Sequence, residues 1–183
     1  MKKFLPVIIV LVIIGAIFGS TYNRLNTLDR QTDGAWAQVE NAMQRRADLI
    51  PNLVETVKGY AQHEEEVFTK ITEARSGIQQ AQTPEEMSEA NAQMNEALRG
   101  INVVVEAYPD LKANENFQNL QAELAGTENR LAVERQRYNE AVTNFNLAVS
   151  RFPTNLAAGI LGFHERSYFE ADPGVEEVPK VQF

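Results

Sequence analysis

The sequence predicts an all-α protein: a single N-terminal transmembrane helix followed by an antiparallel up-and-down four-helix bundle. Three observations predict it. Apolar residues recur at alternating steps of three and four in every long segment. No tight turn joins a pair of alternating-residue strands. The chain also starts with a run of apolar residues behind two lysines.

The run comes first. Met1, Lys2 and Lys3 precede Phe4 to Gly19, and Ser20, Thr21 and Tyr22 then lead to Arg24. Phe4 to Tyr22 is 19 residues, about 28 Å of helix, enough for the hydrocarbon core. Twelve of these residues are Leu, Ile, Val or Phe, which favour insertion by ~4 to 7 kcal/mol at most. A cleaved signal peptide shares the basic start and apolar run. Ile17-Phe18-Gly19 lacks the small-x-small cleavage pattern, so the segment reads as a retained anchor in contact with the lipid bilayer through residues 4–22. Lys2 and Lys3 place the N-terminus in the cytoplasm and the body outside it.

The body is divided as 23–152 for the bundle and 153–183 for an apolar segment and extended tail, behind an anchor at 1–22. Its first inner row is Leu25, Asp29, Thr32, Trp36, Val39, Met43, Arg46, Ile50, and its second is Leu53, Val57, Tyr60, Glu64, Val67, Ile71, Ala74, Ile78. Between them stands Pro51. The alternation passes through it without a slip, which suits one long helix kinked at Pro51 and a three-helix bundle. Length matching suits a break near Asp48, which gives pieces of roughly 25, 28, 25 and 38 residues that pack as four helices. The break is the arrangement adopted.

Gly77 to Gln82 reads as a polar loop, and Thr83-Pro84-Glu85-Glu86 as a helix start. There Thr83 is the N-cap, Pro84 takes the first helical position and Glu86 completes a capping box. The third row is Met87, Ala90, Met94, Ala97, Ile101, Val104, Tyr108. Ile101 to Val105 is locally strand-prone, but the periodicity around it and Pro109 make it the close of a helix. Asn114 caps the fourth helix. Its row is Phe117, Leu120, Leu124, Thr127, Leu131, Glu134, Tyr138, Ala141, Phe145, Ala148 and Phe152. A mean step of about 3.5 keeps one narrow edge against partner helices, and Pro153 ends the run. Thr154 to Phe163 is apolar but too short to span a bilayer. It reads as a cover over one end of the bundle or as a contact for a partner or membrane surface through Leu156, Ile160, Leu161 and Phe163. From Glu170 onward acids and prolines predict an extended end. Phe183, closing Val181-Gln182-Phe183, is the type of ending a peptide-binding groove captures.

Composition narrows the functional classes. The chain has 183 residues, net charge −8 and no cysteine. Without Lys2 and Lys3 it sets 25 acids against 15 bases, a surface that repels nucleic acid. Disulfides and thiolate metal sites are excluded. His63-Glu64-Glu65-Glu66 lacks the second histidine of a zinc-protease helix, and the other histidine is His164. Glu64 with Glu73, and Glu128 with Glu134, have no predicted cleft and read as solvated or packing carboxylates. No phosphate loop or nucleophile elbow occurs. No catalytic residue, cofactor or metal is therefore expected. Charged residues on inner rows carry more information. Glu134 is expected to face Arg45, Arg46 or Arg135, because a buried charge requires a partner.

Several stretches together resemble the LemA family of bacterial membrane proteins. They are Tyr22-Asn23-Arg24-Leu25, the run Arg45 to Tyr60 (RRADLIPNLVETVKGY), Tyr108 to Phe117 (YPDLKANENF), Gly126-Thr127-Glu128-Asn129-Arg130, Tyr138-Asn139, Phe152-Pro153 and Gly162-Phe163. The resemblance covers essentially the whole chain. It implies one membrane helix, an outward-facing helical bundle at the bacterial inner membrane and no catalytic set, with membrane proteases or envelope-stress proteins as companions. The expected function is a non-catalytic scaffold that docks an unidentified protein partner. The alternative is a self-assembling structural protein of the envelope that uses the long fourth helix in a homo-oligomer.

Overall fold

The three-four alternation becomes helix edges. In the computed structural model, which describes residues 5–170, the elements are α1 (Leu5–Lys58), α2 (Glu65–Gln80), α3 (Pro84–Ala107), α4 (Pro109–Lys112), α5 (Glu115–Ser150) and α6 (Thr154–Leu161). No strand occurs among the described residues. Along α5, Phe117, Leu124, Thr127, Leu131, Glu134, Tyr138, Phe145 and Ala148 are all buried, as the heptad spacing requires. The helix stops at Ser150, and Phe152 lies beyond it, exposed.

The transmembrane helix expected over residues 4–22 is corrected. Among the described residues no helix is long and apolar enough to cross a membrane. The apolar residues are the leading part of α1, a 54-residue helix that continues without interruption through Asn23, Arg24, Asp29 and Arg30. No separate spanning element is set off from the charged part of the rod.

The expected break between Asp48 and Pro51 is also corrected. Helix α1 contains Pro51 and runs on to Lys58, where the chain turns through residues 59–64. Proline has no N–H, so it leaves the carbonyl four residues earlier without its helical partner. That carbonyl belongs to Ala47, and the Arg75 guanidinium of α2 donates its Nε–H to it at 3.1 Å. A side chain from the neighbouring helix thus replaces the missing backbone donor. The long helix through Pro51 ends at Lys58, and the chain leaves it at Gly59. Gly59 and Tyr60 follow the basic Lys58, and Glu65 and Glu66 stand in the first turn of α2, each charge complementing its helix dipole.

Other boundaries follow local chemistry. Thr83 Oγ1 accepts from Glu86 N at 3.2 Å while Glu86 Oε2 accepts from Thr83 N at 3.3 Å, the reciprocal capping box. The polar loop expected over 77–82 is shorter, because α2 continues to Gln80. Gly77 stays helical and lies against α3, where a Cβ would make ordinary van der Waals contact with Ala90 Cβ at 3.6 Å. Asn114 Oδ1 accepts from Phe117 N at 3.0 Å and caps α5.

The chain forms two compact units. One comprises residues 1–37 and 137–167. Its core is Leu25, Phe145, Ala148, Val149 and Ala158, with Leu28 and Phe163 against it. Gly162, at φ 79°, ends α6 in the left-handed region that glycine tolerates. Phe163 N then reaches Ala158 O at 3.0 Å, and the Phe163 ring lies 6.0 Å from Tyr22 and 6.3 Å from Phe145. Trp36 packs on the buried Tyr138 ring at 5.2 Å. The other unit comprises 38–136 and 168–183, so it takes the last part of α1, all of α2, α3 and α4, and the first part of α5. Met43, Ile50, Leu53, Ile71, Met94, Ile101, Phe117 and Leu131 fill its interior.

Removing the Arg75 donor is expected to expose the Pro51 defect. Arg75→Ala costs about 1–2 kcal/mol in urea unfolding, the penalty of an unmet helix carbonyl. In a Pro51→Ala background, where residue 51 supplies its own N–H, the same substitution costs less than ~0.5 kcal/mol beyond any loss of packing. Equal costs in the two backgrounds would refute the pairing.

Candidate functional site

Arg46 enters the bundle interior because α1 places it on the inner row between Met43 and Ile50. Its side chain is 5% exposed and sits 2.6 Å from Glu128 Oε2 of α5. From α3, Asn91 Oδ1 accepts from Nη1 at 2.7 Å and Asn95 Oδ1 from Nη2 at 2.6 Å. Asn91 and Asn95 are one helical turn apart, so both amides meet one guanidinium fork. Arg135 approaches the same carboxylate, Nη2 to Oε1 at 3.3 Å, and its guanidinium lies 5.4 Å from the buried Phe169 ring.

The four residues proposed from the sequence as a buried polar group divide between two places. Arg46 and Arg135 meet at Glu128. Glu134, buried on α5, lines a different cleft with Arg45 and Arg130. The other inner-row polar groups are bonded as burial demands. Thr32 Oγ1 donates to Leu28 O, Thr127 Oγ1 to Leu124 O, and Tyr108 Oη to Glu64 Oε1. Sequence reasoning missed Glu128, Asn91 and Asn95. Their signal was two asparagines four apart beside the α3 inner row, and a carboxylate directly after Thr127.

The second missed group is Arg166. Its Nη2 and Nη1 stand 2.7 Å from Asp29 and 2.7 Å from Asp33 of α1. Asn146 of α5 holds the backbone there, donating Nδ2 to Arg166 O at 2.9 Å and accepting from Arg166 N at 2.8 Å. Partial burial opposes the charge of Arg166, but the hydrogen bonds and charges of Asp33 and Asp29 outweigh it and raise its pKa. The segment after α6 is thereby strapped to both long helices of its unit.

The apolar segment expected as an end cover or contact surface is α6. Ala157 and Ala158 face inward, and Leu161 and Phe163 are half-buried. Leu156 and Ile160 point away from the core at 62% and 74% exposure, and Phe152 beside the helix start is 76% exposed. Phe183 lies outside the described residues.

A further cleft of about 370 Å³ opens between α3 and α5, lined by Leu53, Leu98, Ile101, Asn102, Gln121 and Leu124. No group of three His, Asp or Glu residues is placed to hold a metal among the described residues. Glu66 and Lys70 form a perturbed pair on α2. Glu66 is held below its usual value by the hydrogen bond and charge of Lys70, and Lys70 is raised in turn. Both are fully exposed, so this is an ordinary surface pair.

These features define a helical-bundle protein whose buried polar residues tie helices together. The chain belongs to the LemA family: the family model matches residues 35–183. It is 26% identical to the protein LemA of Metamycoplasma hominis over 174 residues, covering 93% of this chain and 80% of that one. It is 25% identical over 178 residues to the magnetosome protein MamQ 2 of Paramagnetospirillum magneticum, covering 83% of this chain. The magnetosome protein MamQ of Magnetospirillum gryphiswaldense is 23% identical over a similar span. The matched part of this chain spans 65% of the length of the MamQ relatives.

Truncation of Arg46 is expected to be costly. Arg46→Ala removes the guanidinium from one oxygen of Glu128 and from two amide oxygens, and lowers unfolding free energy by about 3 kcal/mol, the lower end of the range for breaking a buried pair, because Glu128 is partly exposed and keeps Arg135. Arg46→Lys recovers less than half of this, since one ammonium cannot reproduce the guanidinium fork. Denaturant unfolding followed by circular dichroism measures both, and a loss below ~1 kcal/mol for the alanine variant would refute the role.

Proposed function

We propose that this LemA-family chain is a non-catalytic scaffold that docks a protein partner on the apolar corner formed by Phe152, Leu156 and Ile160. The observation that carries the reading is a helix anchored on one side and bare on the other. Ala157 and Ala158 hold α6 to the core, while three large apolar side chains of the same corner are 62% to 76% exposed. Gathered exposed apolar residues mark interaction surfaces in soluble domains. The same unit also exposes apolar residues on α1, among them Ile13, Ile14 and Ile17. A net charge of −8 disfavours phosphate-bearing partners and leaves a protein surface as the occupant.

Val133 and Leu147, exposed on α5 at 47% and 54%, favour a second reading. In it α5 packs against α5 of another copy and the protein is a structural self-assembly.

A photo-crosslinking residue placed at Leu156 and at Ile160 in cells distinguishes the two. The expected result is one discrete heterologous adduct from both positions, absent from the exposed control position Gln118. The purified chain should bind the protein identified in that adduct, and Ile160→Asp should weaken the binding at least about tenfold. An adduct of twice the chain's mass makes the protein a self-assembly instead. Labelling indistinguishable from the control overturns the docking corner.

A further inference from the structure

We propose that the seam between α1 and α5 at Arg45 and Arg130 is a carboxylate-binding groove, and that it takes an acidic, extended segment of a partner protein. The site is independent of the apolar corner, whose residues belong to the other unit. Helical spacing builds it. Asn41 and Arg45 stand one turn apart on one edge of α1, and Gly126 and Arg130 stand one turn apart on an edge of α5. Two clefts share both arginines. One of about 210 Å³ also meets Glu123, Gly126 and Thr127. The other, of about 230 Å³, also meets Gln38, Asn41 and Glu134.

The two guanidiniums are uncommitted. Arg45 and Arg130 are exposed, and among the described residues no hydrogen bond or ion pair holds either of them. Arg46 and Arg135 of the same two helices are instead paired with Glu128. Two cations on the same clefts repel each other, and a carboxylate between them removes that repulsion while accepting N–H donors from both. There is room for one to arrive on a peptide. A Cβ built on Gly126 meets nothing within 4 Å, so another backbone can come close to α5 there.

The extent of the groove selects a peptide over a small acid. Glu123 and Glu134 lie 11 positions apart on α5, about 17 Å along the axis and equal to about five residues of extended chain. Gln38 and Asn41 line one end with amides that both donate and accept, as a passing backbone requires. The glutamates select among anions. With Glu134 on one cleft and Glu123 on the other, a dianionic phosphate meets about twice the repulsion that a carboxylate meets.

The full chain is titrated with the blocked peptide acetyl-GSEEEGS-amide while amide resonances are followed by NMR. Ala42, Gly126 and Thr127 should shift, with Gly77 and Gly100 unaffected. Arg45→Gln and Arg130→Gln should each weaken binding about tenfold, with thermal unfolding unchanged because neither side chain has a described partner to lose. Gly126→Leu keeps both charges but fills the groove, and should weaken binding at least about threefold. Raising sodium chloride from about 50 to about 300 mM should weaken it by a similar factor. Ile160→Asp should leave it unchanged, so this site and the apolar corner fail separately. Equal shifts with acetyl-GSQQQGS-amide, or arginine variants that bind as the parent does, would overturn the groove. Succinate or inorganic phosphate bound as tightly as the acidic peptide would overturn the peptide assignment.

Discussion

One carbonyl decides the architecture. Ala47 O would be orphaned by Pro51, and Arg75 of α2 supplies the donor from outside the helix. Without that contact, the proline would favour ending α1 around residue 50, since an unmet buried carbonyl and a proline within a helix each cost free energy. With it, α1 carries Leu53, Val54 and Val57 onward into the core, and the turn moves to Gly59. The same bond fixes the height of α2 against α1. Arg75 can reach Ala47 only if Ile71, Ala74 and Ile78 face the interior. A local backbone fault thus becomes a register mark between two helices.

A second polar tie secures the other pair. Apolar edges with three-four spacing interdigitate in several registers one turn apart, so they specify burial better than alignment. Arg46 removes that freedom, because its fork fits only where Asn91, Asn95 and Glu128 stand at one level. Buried ion pairs add little net stability over apolar replacements. Their value here is specificity: α1, α3 and α5 can satisfy the guanidinium in one alignment. Arg166 plays the comparable part in the other unit, fastening the segment after α6 to Asp29 and Asp33.

What the sequence discloses follows from where the information sits. Periodicity is local, and so the inner rows of α3 and α5 were legible down to Met87, Ile101, Leu131 and Tyr138. Caps are local too, which made Thr83-Pro84-Glu85-Glu86 and Asn114 readable. Pro51 was misread because its remedy lies 24 positions away in Arg75, beyond any local rule. The turn at 59–64 did leave a signal, Gly59 after a basic residue and acids after the turn, but an uninterrupted apolar row overshadowed it. The apolar run at the start was read by composition as a separate spanning helix. In the structure it is continuous with the charged helix that follows. Arg46 was recognised as an inner-row charge, yet its partners Asn91, Asn95 and Glu128 required three helices to be placed at once, while Glu134, expected to face Arg45, Arg46 or Arg135, lines a cleft with Arg45.

The distribution of satisfied and unsatisfied groups bears on function. Both nitrogens at the end of Arg46 are engaged by neighbouring side chains. Arg166 is engaged in the same way by two aspartates. These two arginines are thus spent on holding helices in place. The large apolar side chains of Phe152, Leu156 and Ile160 remain exposed. Covering such exposed apolar side chains with another apolar surface lowers the free energy.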